Sequence, residues 1–223
     1  MKKNSKRYLK VKGFYHLFKQ NPSYVIKALL RRPFLYFKRF ISSFSEKRTL
    51  LQEGVHLYGF KKLEDLKRSL ASKESLLILG FSYCQRPKNC PAIRFSNTCP
   101  IDQSTCSSCS LSPFIKHLRK DDSFIVIAKA LDLGEKILNL QKKYPQKEIL
   151  FALSVCDLSE EIFSNFSHIL GAKGVSFSLN GNTCTNFKSF QLAEEGKKKN
   201  TTYLDDMQNQ LLQEFLFLRK ETE

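Results

Sequence analysis

The chain of 223 residues contains no tryptophan, and no apolar run approaches the ~18 residues that a transmembrane helix needs. Stretches such as Phe34–Phe37 are cut by Arg31, Arg32, Lys38 and Arg39. A secretory leader needs an apolar segment behind its basic start, whereas Met1–Lys12 runs into mixed aromatic and basic residues, so no signal peptide is expected. The glycine signatures of nucleotide binding, GxGxxG and GxxxxGK[ST], are missing. Gly171, Gly174 and Gly181 are scattered, and Ser–His–Asp and zincin patterns are absent too. Acids almost vanish from residues 1–50, where 14 Lys and Arg face Glu46 alone, a net +13, while the rest of the chain sets 23 basic residues against 20 acids. At 42% hydrophobic and 26% charged, the composition is neither collagen-like nor disordered throughout. Together these absences predict a cytoplasmic chain. There thiols stay reduced, so seven cysteines read as metal ligands or redox groups rather than disulfides.

What is present falls into two parts, residues 1–60 and 61–223. In the first, Phe14, Tyr15, Leu17 and Phe18, then Val25, Ala28 and Leu29, then Leu35, Phe40, Ile41 and Phe44 recur at spacings of three or four. That period predicts amphipathic helices, punctuated at Asn21-Pro22-Ser23 and restarted at Pro33. A charged helix is expected over Leu63–Ala71. The second part is then marked by short continuous apolar runs, the pattern of strands buried on both faces: Leu76–Phe81, Phe124–Ala128, Ile149–Leu153 and Val175–Leu179. Helical patterns at Leu133, Ile137, Leu138 and Leu140, and at Ile162, Phe163, Phe166 and Ile169, separate the later runs. The alternation predicts an α/β fold with a small parallel sheet of about four strands and crossover helices. From Tyr203 onward, Leu204, Met207, Leu211, Phe215 and Leu218 form one stripe of a final helix expected to pack on the sheet.

Between the first two strands, Ser82–Arg119 is rich in Cys, Pro, Ser and Asn, and it carries five of the seven cysteines. A loop of that length inside a compact domain needs something to order it. Cys106-Ser-Ser-Cys109 has a spacing that lets two sulfurs reach one metal, and Cys90 and Cys99 are each followed by proline, as recurs beside ferredoxin ligands. Thiolates suit Zn²⁺ or iron–sulfur centres, whereas hard cations want carboxylates. Topology adds to this. Cys84, Cys156 and Cys184 follow the first, third and fourth strand runs, so a parallel sheet places all three at its carboxyl edge, where open α/β sheets bind their ligands. The plain alternative is that free cysteines serve as small buried apolar residues.

The run Leu79-Gly-Phe-Ser-Tyr-Cys84, the Cys90-Pro-Ala block, Cys99, Cys106-x-x-Cys109, Ser154-Val-Cys156-Asp-Leu and Gly181-Asn-Thr-Cys184-Thr resemble the cysteine-rich family catalogued as domain of unknown function 116 (DUF116). The resemblance spans about residues 76–184 and matches all seven cysteines in order. It implies an α/β domain with a metal or iron–sulfur site and no defined reaction. Two features depart from it. Lys129-Ala-Leu-Asp132 replaces a glycine-rich turn, which argues against small-anion binding there. A basic amphipathic stretch stands where family members often carry a membrane segment.

The ligand set is therefore Cys84, Cys90, Cys99, Cys106, Cys109, Cys156 and Cys184. Four could hold one [4Fe–4S] cluster and three a second with an open iron, fitting a redox or sulfur-handling role with a protein redox partner. Alternatively, four hold a structural zinc in an interaction module. Of the histidines, only His117 follows the cysteine loop, as a ligand, an acid–base group or a helix surface residue. Asp157 reads as the N-cap of the following helix. For the basic first 50 residues the partners weighed are an anionic membrane surface at the inner face, nucleic acid, or the chain's own α/β domain. Missing tryptophan counts against the membrane.

Overall fold

A computed structural model describes residues 33–43, 48–88, 90, 92–99, 106 and 109–221, side chains excepted at 43, 162 and 164–166, with isolated positions 11, 15, 18, 19, 22, 23, 26 and 30 before them. Of the helices expected between residues 14 and 29, only positions 15, 18, 19, 22, 23 and 26 are described, each helical; the rest lies outside the described residues. Helix α1 (Pro33–Ser43) starts on the proline that was expected to restart it, since proline's fixed φ suits a first helical turn. The hairpin β1 (Thr49–Gln52) and β2 (Val55–Tyr58) turns at Gly54 with φ 69°, a conformation glycine adopts without penalty. Then follow α2 (Leu63–Ala71), β3 (Ser75–Ser82), the short turn of helix α3 (Ser112–Ile115), β4 (Ser123–Ile127), α4 (Ala130–Lys143), β5 (Glu148–Val155), α5 (Asp157–Leu170) and β6 (Lys173–Ser178). A two-residue ladder of β7 (Asn180–Gly181) and β8 (Thr202–Tyr203) brackets α6 (Phe187–Glu194), and α7 (Asp206–Lys220) ends the fold.

The sheet has six strands rather than about four, in the order β1-β2-β6-β5-β3-β4. The four expected runs are its parallel part: β3 pairs β4 and β5, and β5 pairs β6. The two additional strands are the hairpin, which pairs antiparallel onto β6 through β2 and so brings Thr49–Tyr58 of the basic N-terminal part into the sheet. The sequence period did not expose them because each strand has only four residues.

Leu77, Leu79 and Phe81 of β3 point to one face, with Leu66 and Leu70 of α2 and Leu212, Phe215 and Leu216 of α7. Leu76 and Ile78 point to the other, with Tyr36 of α1, Leu133 and Ile137 of α4, and Phe163 and Ile169 of α5. Helices thus cover both faces, which is why the parallel strands read as continuous apolar runs. Each such side chain taken from water contributes about 1.5–3 kcal/mol.

The final helix packs on the sheet as expected, with Leu204 and Phe215 buried and Leu211 against the same core, but the buried stripe is partly different. Its buried residues are Gln208, Leu212, Phe215, Leu216 and Arg219, while Met207 is exposed. Two polar side chains fix that rotation. Gln208 Nε2 donates to Ser178 O at 2.9 Å, and Arg219 donates to Ser75 and pairs with Asp122 at 2.6 Å.

Candidate metal centre at the carboxyl edge

Strands β3 and β5 are neighbours whose onward connections run opposite ways, β3 to β4 on one side and β5 to β6 on the other. Such a switch point opens a crevice above the carboxyl ends of the strands. Beyond β3 the chain makes a tight 3₁₀ turn over Tyr83–Gln85 that buries Cys84. Beyond β5 it enters α5 directly, and Cys156 is the N-cap residue, with Glu160 N donating to Cys156 O at 2.9 Å. The expected cap, Asp157, is instead the first helical residue. Beyond β6 the backbone keeps its ladder for one more bond, Leu179 N to Val155 O at 2.9 Å, before β7 leads to Cys184. Cys184 precedes Asn186, whose side chain caps α6 by accepting from Ser189 N.

These three cysteines are all buried, they belong to one apolar cluster, and they line one cavity of about 50 Å³. Ser159 Oγ lies 3.0 Å from Cys156 Sγ, the Cys184 thiol faces Ser189 O at 3.6 Å, and Lys198 Nζ approaches Cys184 Sγ at 3.8 Å. A hydrogen bond from the Cys184 thiol brings Cys156 down to about 6, with Ser159 adding to the effect and burial opposing it. The same shared proton, with burial, pushes Cys184 well up. The pair thus favours the thiolate at Cys156 over Cys184, and the thiolate is the form that binds metal.

The loop cysteines form a second set. Cys90, Cys99, Cys106 and Cys109 are half-buried. Cys109 N donates to Cys106 O at 3.2 Å, and Cys90 N donates to Pro87 O at 3.2 Å. Burial pushes the Cys99 thiol up; Arg86 pulls against that, while Cys106, Cys90 and Cys109 add to it through their charge. Cys99 packs on the cluster that holds Cys84, Cys156 and Cys184, whereas Cys109 packs on the sheet face under α2 and α7. Among the described residues, no group of three or more His, Cys, Asp or Glu side chains is arranged to hold a metal ion as it stands.

Sequence reasoning missed the roles of four polar side chains. Glu194 is buried at the end of α6, and its carboxylate accepts from Ala130 N at 3.0 and 3.3 Å, filling the N-terminus of α4. Asp132 takes the neighbouring Ala128 and Lys129 N–H groups at 3.1 and 2.8 Å. The doubt about anion binding at this turn thus has a physical basis. Lys198 lies in a basic turn that reads as solvated. Arg86 was hidden among the cysteines, yet its guanidinium donates to Ile93 O at 2.8 Å, Arg94 O at 3.2 Å and Thr98 O, and so shapes the cysteine loop. His117 is not among the residues lining the cavity. Comparisons of the chain with protein-family models, with curated proteins and with solved structures found no match.

Proposed function

We propose that this chain is a thiolate metal-binding protein whose centre lies at the carboxyl edge of its parallel sheet, iron–sulfur in kind, with structural zinc as the alternative. The observation that carries the reading is the convergence of Cys84, Cys156 and Cys184, far apart in sequence, on one cavity at the sheet's switch point. The donor chemistry fits: the set is all sulfur, and the neighbours of Cys156 favour its thiolate form. The resemblance of residues 76–184 to DUF116 points the same way. An iron–sulfur centre here would supply electron transfer or sulfur handling. The chain's own part would be to exclude water with Leu133, Val155, Phe163 and Phe190, to hold the thiolates, and to set Lys198 beside Cys184. Anaerobic purification tests the reading. A brown protein carrying iron and acid-labile sulfide supports iron–sulfur, a colourless protein with stoichiometric zinc supports the alternative, and a metal-free protein sinks both. Cys156→Ser and Cys184→Ser are each expected to lower metal content.

We further propose that the chain sits at an anionic membrane surface. Among the described residues no helix is long and apolar enough to cross a membrane. Helix α1 instead buries Tyr36 in its own domain and leaves Phe34, Phe37 and Ile41 on the opposite face, exposed by 90%, 65% and 57%. An apolar stripe on a basic segment suits the headgroup boundary of acidic lipids. Because α1 contributes to the core, substitution tests this better than deleting residues 1–50. Phe34→Ser/Phe37→Ser/Ile41→Ser is expected to weaken sedimentation with phosphatidylserine-containing vesicles without changing thermal stability; unchanged sedimentation, or binding to nucleic acid instead, overturns the proposal.

A further inference from the structure

At the amino edge of the parallel strands, opposite the cysteines, lies a second and larger cavity. It has a volume of about 280 Å³ and is enclosed by α1, by the last turn of α4 with the turn into β5, and by the end of α5. One water takes only about 30 Å³ of liquid, and ligand pockets begin near about 300 Å³. Among the described residues its charged lining is Arg39, Lys142, Lys147 and Glu148. The acid is already engaged, since Glu148 Oε1 meets Lys173 Nζ at 2.8 Å. The three cations come from three separate segments and are held there by the backbone. Arg39, on α1, is half-buried and donates from Nη1 to Ile169 O at 3.4 Å. Its guanidinium lies against Gly171, which has φ 70° and whose missing Cβ would stand 2.7 Å from Arg39 Cζ and Nη2. Lys147 is fixed by a closed turn, in which Tyr144 N donates to Leu140 O at 2.8 Å and Lys147 N to Tyr144 O at 3.1 Å. Its Nζ reaches Lys73 O at 3.3 Å. Lys142 is exposed in the last turn of α4. Cations at helix C-termini complement the helix dipole, which accounts for Lys142 on α4 and for Arg39 at the end of α5. Lys147 belongs to neither helix. Three like charges around one cavity repel one another, and an anion between them relieves that repulsion.

We propose that this cavity binds the phosphate of a small, soluble phosphate ester, with Arg39, Lys142 and Lys147 as its cationic contacts. A phosphate monoester carries close to two negative charges on three acceptor oxygens. That matches one guanidinium fork and two ammonium point charges better than a singly charged carboxylate does. Leu35, Leu138 and Tyr144 supply an apolar wall for the carbon part of the ester. The faces of α1 separate a soluble ligand from a lipid headgroup. Tyr36 and Arg39 are three residues apart and so share a face. Tyr36 is buried, whereas Phe34, Phe37 and Ile41 are exposed on the opposite face. If that apolar face meets a membrane, the cavity lies on the side of the helix turned away from it. The carboxyl edge offers no competing phosphate site, because Glu194 already holds Ala130 N at 3.0 Å. The cavity stands apart from the cysteines, so this binding does not depend on the metal centre.

The test is calorimetric titration of the full-length protein with inorganic phosphate and with glycerol 3-phosphate at low ionic strength. The wild type is expected to bind one equivalent of each saturably, glycerol 3-phosphate the more tightly. Arg39→Gln and Lys147→Gln each weaken binding by about 10–100-fold, the usual loss for one hydrogen bond to a charged group. Lys142 is exposed, so Lys142→Gln weakens binding without disturbing the fold. Lys143→Gln is the control, because that lysine is the next residue of the same turn and does not line the cavity. It leaves binding unchanged. Absence of saturable binding in the wild type overturns the proposal. Lys143→Gln weakening binding as much as Lys142→Gln also overturns it, by showing diffuse attraction to a basic surface. Inorganic phosphate bound as tightly as glycerol 3-phosphate refutes the apolar wall and with it the ester. Sedimentation with phosphatidylserine-containing vesicles supplies the other arm. Arg39→Gln is expected to sediment as the wild type does, and loss of sedimentation in a protein that binds neither soluble phosphate overturns the soluble ligand in favour of a lipid headgroup.

Discussion

Replacing Asp122 by asparagine should be among the most damaging single-atom changes in this protein. Asp122 lies just before β4, with Oδ1 accepting from Leu77 N at 2.8 Å and Oδ2 from Arg119 N at 3.0 Å, while both oxygens receive the Arg219 guanidinium. Both partners of the pair are fully buried. Asparagine keeps the shape and loses the charge, so Arg219 remains desolvated with nothing to balance it. Breaking one side of a buried pair costs about 3–5 kcal/mol, a large share of the roughly 5–15 kcal/mol that holds a domain folded. At about 2–4 °C per kcal/mol for a chain of this size, Tm should fall by roughly 6–20 °C. Urea unfolding followed by circular dichroism measures this, with the midpoint shifted and the slope unchanged. Adding Arg219→Met should return much of the loss, because the orphaned charge leaves with it. A cost below about 1 kcal/mol for Asp122→Asn, where surface ion pairs fall, would show that the pair does not carry the junction of β3, β4 and α7. A double variant no better than the single would refute the charge argument.

Two further outcomes follow from the same style of accounting. Glu160 is fully buried beneath β2 and β6, with His56 Nδ1 at 2.7 Å, Tyr58 donating at 2.8 Å and Arg48 at 3.3 Å. Burial pushes its carboxyl up, but His56, Arg48 and Ser176 outweigh burial and hold it below the ordinary carboxylate value. A depressed carboxylate gives stability that is full above its unfolded pKa of about 4.3 and is lost as pH falls through the folded value. Unfolding midpoints should therefore drop below about pH 4, and Glu160→Gln should flatten that acid limb; an identical pH slope in the variant would refute the role. Gly174→Ala would place a Cβ 2.0 Å from the Phe151 carbonyl oxygen on the neighbouring strand. That backbone cannot yield cheaply, so thermal unfolding should show a loss of about 1–3 kcal/mol or more, and an unchanged Tm would contradict the close approach.

Much of the architecture could be read in advance where chemistry and period coincide. Strands buried on both faces must be apolar throughout, so β3 and β5 stood out, and their order fixed where Cys84 and Cys156 would lie. Elements held by polar contacts did not stand out. The hairpin of TLLQ and VHLY is too short to show a period. The stripe of α7 was only partly legible, because Gln208 and Arg219 look like surface residues until their partners, Ser178 and Asp122, are known. The site divides in the same way. The three-cysteine convergence follows from strand order alone, whereas Arg86 and Glu194 act through contacts with segments that no sequence pattern links to them.

The carboxylate of Glu194 has a consequence for what this edge can recognise. In sheets of this kind the start of the helix after a parallel strand is where a phosphate group would find backbone donors and a favourable dipole. Here Ala130 N already holds an internal anion, tethered through α6, and Asp132 takes its neighbours. Any phosphate-bearing molecule would have to evict a covalently attached competitor and lift α6 with it. The fold thus keeps the geometry of a nucleotide crevice while answering it with its own chain, and the vacancy that remains beside it is bordered by sulfur.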